Sequence, residues 1–222
     1  MDHNLITNLG NCVTSTLSML NGDLRMLYYS HIPVIIISLF MGFFVLIKGK
    51  GKLLSRIFFY LSLMFVIWSV LDLFTWLDTD TRIVMFTWAI AGLVELLFYV
   101  LSFYLIYVFI EKKDISFKYK ILGGVILLPI IVMIPTIFNL SGFNFDGCYA
   151  LESNYSVYYK YFIEIILSIS IIIFSLIKIK QADRVFRKQI TLMFTGITLF
   201  LLSFFSAIFV SNYLSDQGIL TG

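Results

Sequence analysis

Three carboxylic acids stand inside long apolar stretches of this chain: Asp72, Glu95 and Glu164. An ionisable side chain at membrane depth costs about 2.5–3.5 kcal/mol on insertion scales, so each is a candidate for function. Such an acid can take a proton, an ion or a polar ligand. Trp68 and Trp88 lie in the same stretches. Sites between helices combine aromatic walls with a few polar groups. The candidate site is therefore an outward-open pocket lined by Asp72, Glu95, Glu164, Trp68 and Trp88. The competing reading is packing alone, in which each acid is protonated or bonded to a neighbouring helix. His31 marks the start of the first stretch, at its edge.

These residues need a membrane around them. The 222 residues are 60% hydrophobic and 13% charged, against roughly 25% charged in soluble domains. A soluble globule of this size cannot hide so much apolar surface. The same content excludes disorder. A span needs roughly 20 apolar residues, and six runs qualify, at about 30–47, 56–77, 83–110, 121–138, 158–179 and 190–213. Single spans must be helical, because only a helix satisfies its own backbone in lipid. The expected fold is all-α, a polytopic bundle of six transmembrane helices with the bilayer as its main partner.

Charge orients the bundle. The loops after spans one, three and five carry 13 of the 16 Lys and Arg, in "KGKGKLLSR", "EKKDISFKYK" and "KIKQADRVFRK". Only Arg25, Arg82 and Lys160 fall on the other face. The positive-inside rule then places the N-terminus outside and these loops in the cytoplasm. Basic loops also suit lipid phosphate or nucleic acid. Here the charge alternates in step with the spans, so no nucleic-acid partner is expected.

The outer face carries residues 1–29, with a candidate interfacial helix, a tight turn near Asp78–Arg82, and the loop 139–157. Residues 214–222 form an outer C-terminal segment. Cys12 and Cys148 both fall on this side, where a disulfide between them is permitted. Asn139 and Asn154 each begin a glycosylation triplet. Pro129 and Pro135 are candidate kinks in the fourth span. Walker, HExxH and GxSxG patterns do not occur, and the two histidines are His3 and His31. No cofactor and no enzymatic activity are expected of this chain.

The second span reads "FVIWSVLDLF", with Trp68 followed four residues later by Asp72. A short outer turn and a long aromatic third span, "LLFYVLSFYLIYVF", follow. The sixth span is entered through a basic segment. This organisation resembles the seven-helix N-terminal sensor region of bacterial histidine kinases and related signalling proteins. The resemblance covers about residues 30–213. It implies a multi-pass protein of a bacterial plasma membrane, a homodimer, that senses a small molecule or membrane state from outside. It also implies a seventh span, where this chain ends at "SDQGILTG", and hence truncation before that helix. Two alternatives stay open. One is a small ion- or proton-coupled transporter or channel subunit using Asp72, Glu95 and Glu164. The other is a non-catalytic assembly subunit of a membrane complex.

Overall fold

The computed structural model describes residues 23–77, 80–145 and 149–216. It is a helical bundle with one small hairpin. The helices are α1 (Asp23–Lys48), α2 (Leu53–Leu77), α3 (Thr81–Glu111), α4 (Phe117–Met133), α5 (Asn154–Gln181) and α6 (Arg184–Asp216). Strands β1 (Leu140–Asn144) and β2 (Tyr149–Glu152) pair antiparallel between α4 and α5, with a register irregularity between Leu140 and Gly142. Side chains are described for 29–75, 80–145 and 149–206. The tail read as an interfacial helix lies outside the described residues for its first 22 positions. So do Cys148 and the segment 217–222, and with Cys12 and Cys148 goes the disulfide.

Among the described residues five helices are long and apolar enough to cross a membrane, over Tyr29–Lys48, Leu53–Thr75, Thr81–Glu111, Asn154–Gln181 and Arg184–Ser206. The fourth run is the exception. Its helix, α4, has 17 residues, at the lower limit of about 17–25 for a span. It begins four residues earlier than the sequence suggests, and it ends at Met133, two residues before Pro135, whose ring removes an N–H from the turn that would follow. Pro129 stays inside it.

The bundle is organised around α3, whose buried residues run from Val84 to Ile110. Asp80 caps its start by accepting from the Arg82 N–H at 2.8 Å. Lys112 ends it in the left-handed region, with φ 53°. Phe98, Phe200 and Phe204 of α3 and α6 meet edge to face, and Phe65 of α2 joins them. Near the far end, Phe109 stacks on Phe186. These pairs make α6 antiparallel to α3. Helix α5 runs parallel to α3, because its start lies by the start of α3 and Lys178 near its end pairs with Glu111.

One end of the bundle carries the hairpin, and the other carries the basic loops. At the basic end Asp114 accepts from Tyr104 and from Lys120. The Lys120 ammonium, and next the Tyr104 hydroxyl, hold its carboxyl below the usual carboxylate range.

Helices α1 and α2 close on each other through Gly42. A Cβ there would stand 3.0 Å from the Ser62 Cβ and 3.4 Å from Phe59. Gly42→Leu should therefore push α1 off α2 and destabilise the protein by about 1–3 kcal/mol, the usual cost of overpacking. Unfolding in detergent measures this, with Gly42→Ala expected between the two.

Candidate functional site

The site grows from the start of α5. Ser153 opens the helix, and its N–H donates to the Asn139 carbonyl at 2.9 Å. One turn on, Ser156 donates to Asn139 Oδ1 at 3.1 Å. Asn139 Nδ2 in turn donates to the Ala89 carbonyl of α3 at 3.2 Å. Asn139 is thus buried and committed on both sides of its amide, stitching the hairpin's root to α3 and α5. Its Nδ2 is not available as the glycan acceptor that its triplet suggested.

Another turn along α5 comes Lys160, only 4% exposed. Its stem passes α3 at Gly92. A Cβ on Gly92 would lie 3.2 Å from Lys160 Cδ, so the missing side chain is what admits the lysine. The ammonium donates to both oxygens of Glu152, at 2.9 and 3.0 Å. It also lies 3.6 Å from Glu95 Oε2. Trp88 Nε1 donates to Glu152 Oε1 at 3.1 Å. Strand β2, α3 and α5 therefore converge on one charge.

Glu164 is one more turn along the same face of α5 and is 1% exposed. Neither of its oxygens accepts a hydrogen bond from a described residue. Glu164 belongs to the buried face of α5 that also carries Ser156 and Lys160, the face whose Lys160 reaches Glu95 of α3. Tyr99, a turn below Glu95, gives its hydroxyl to the Leu201 carbonyl of α6 at 3.5 Å. Buried hydroxyls of Ser102, Ser175 and Thr198, on α3, α5 and α6, are also without partners among the described residues. Elsewhere Ser62, Ser170 and Ser203 bond carbonyls of their own helices.

The structure thus brings together Glu95, Glu164 and Trp88 of the five candidate residues. It sets Asp72 apart, on α2, where His31 Nε2 of α1 donates to Asp72 Oδ2 at 2.8 Å. Trp68 packs edge-on against Phe204, with centroids 4.6 Å apart. The hollow lined by Ile106, Phe109, Ile110, Ser175, Ile190, Met193 and Phe194 has no room for a water molecule. Among the described residues no group of acids and histidines is arranged to hold a metal ion.

Sequence reasoning missed Lys160 and Glu152. It counted Lys160 as an outer-face cation and left Glu152 in a loop. The signal that could have found the first is its position inside the fifth apolar run, one helical turn before Glu164.

Removing one member of a buried ion pair strands the others, at about 3–5 kcal/mol. Lys160→Met should destabilise the protein by that amount. Adding Glu95→Gln and Glu152→Gln should recover most of the loss. Unfolding of the single and triple variants in the same detergent checks both halves.

No family model, curated protein or solved structure matches the chain.

Proposed function

We propose that the chain is a membrane-embedded sensory module, with the hairpin end outside, six crossings completed by α4, and the basic loops in the cytoplasm. The basic end holds the cations that the positive-inside rule assigns to the cytoplasm. The resemblance to seven-helix sensor regions points the same way, and so to a bacterial plasma membrane and a dimeric assembly.

One observation carries the reading. The same two helices, α3 and α5, hold an ion cluster at each end. At the hairpin end Lys160 joins Glu95 and Glu152. At the basic end Lys178 joins Glu111, which also takes Lys113 at 3.6 Å. Eighteen residues of α5 separate the two lysines, about 27 Å of continuous helix. Glu152 belongs to the hairpin rather than to a span. A stimulus that moves the hairpin withdraws a carboxylate from Lys160 and shifts the balance between α5 and α3. A helix without a break carries that shift to the basic end.

Such a stimulus must favour one of two packings, since a ligand shifts an equilibrium only by its difference in affinity. The transport alternative draws less support, because Asp72 faces His31 and not the pair Glu95 and Glu164.

The test places an environment-sensitive fluorophore at the basic end. Cys12 and Cys148 are replaced by Ser, and Lys118→Cys carries the probe in vesicles. Glu152→Gln should change the probe's emission, while Leu151→Ala, on the exposed side of the same strand, should not. Identical emission from Glu152→Gln and the parent protein would remove the sensory reading.

A further inference from the structure

Lys160 has the carboxylates of Glu152 and Glu95 at ion-pair distance, and Glu164 lies one helical turn further along the same buried face of α5. The geometry divides them unequally. Glu152 takes two bonds from Lys160 and one from Trp88. Glu95 lies at ion-pair distance from the same ammonium. Glu164 receives no N–H or O–H from any described residue, though both its oxygens are buried. Tyr99, the hydroxyl closest along α3, is turned to Leu201.

A bare carboxylate left in such a place costs several kcal/mol. A neutral carboxylic acid does not, provided its O–H finds an acceptor. Glu95, buried in the same cluster on α3, is the carboxylate within the site to serve as that acceptor. Two carboxyls held side by side do not both ionise, and share one proton.

We infer that Glu164 and Glu95 form a proton-sharing carboxyl pair, and that the proton is the ligand read by this site. The inference rests on the sensory reading and names its input. In the closed arrangement the proton sits on Glu164 and is donated to Glu95, whose negative charge is balanced in part by Lys160. When the hairpin withdraws Glu152, water reaches the cluster. The Glu164 O–H bond then breaks and the proton passes to that water, leaving a second carboxylate beside Lys160. That carboxylate replaces the one lost from the hairpin. Proton occupancy and hairpin closure are therefore linked: uptake favours the closed clamp, and release favours the open one. The groups that set this balance are Glu95 on α3, Lys160 on α5 and Glu152 on β2; α6 contributes the Leu201 carbonyl that holds Tyr99 away.

Infrared difference spectroscopy on the full chain in lipid nanodiscs tests the pair directly. At neutral pH the parent protein should show the C=O stretch of a protonated carboxylic acid, moving to lower frequency in D2O. Glu164→Gln, which reproduces the shape and neutrality of the acid, should lose the band completely and keep the parent's unfolding temperature. Glu95→Gln should keep the band but displace it, because the acceptor has changed. Absence of the band in folded parent protein, or a band of equal size in Glu164→Gln, would overturn the proposal. The fluorophore at the basic end reads the sensory function separately. Loss of the band in Glu164→Gln alongside a silent probe would uphold the proton site and remove the sensory reading.

Discussion

A lysine ammonium cannot stand alone inside an apolar bundle. Its desolvation is only offset if carboxylates are brought to it at bonding distance. Much of the hairpin end of this protein follows from that requirement at Lys160. Gly92 has no side chain so that the stem can cross α3. Glu152 is turned inward from β2, and Trp88 adds a third bond to its carboxylate. Glu95 supplies charge from α3. The hairpin is thereby tied to the membrane helices by electrostatics, in addition to the small apolar contact of Leu140 and Ala150 against Ala89.

Asn139 makes the geometry repeatable. It bonds α3 at Ala89 and α5 at Ser156, and its carbonyl takes the N–H of Ser153. These bonds fix where α5 begins and hence which face carries Ser156, Lys160 and Glu164 toward α3. Below this polar layer the interior is aromatic, with Phe98, Phe200 and Phe204 in edge contacts. Such packing is stiff. It joins α3 to α6. Asp72 and His31 form a separate polar contact, holding α1 to α2.

Hydropathy makes the spans legible, because apolar runs near twenty residues have one solution in lipid. Charge alternation gives an expected orientation. The acids Glu95 and Glu164 stand out in sequence because an apolar run makes any carboxyl visible. Lys160 did not, because a lysine near the start of a span looks like a loop cation and is counted with the loops. Glu152 sits among polar neighbours, and only the fold of the hairpin turns it inward. The grouping of acids was the least legible feature. Asp72 stands in an apolar run like the others but sits on α2, and its pairing with His31 depends on how α1 packs. The fourth helix was placed too far along the chain, because Ile137 and Phe138 read as apolar continuation past Pro135, while the helix itself starts at Phe117 and ends at Met133.

The buried charge of Lys160 holds the hairpin against α3 and α5. Amide hydrogen exchange in a bilayer mimic measures it, comparing the backbone N–H groups of Tyr149–Glu152 in the parent protein and in Lys160→Met. Strong protection is expected in the parent and its loss in the variant, with protection retained around Phe98 and Tyr99 in α3. Equal protection of the hairpin in both proteins would contradict it.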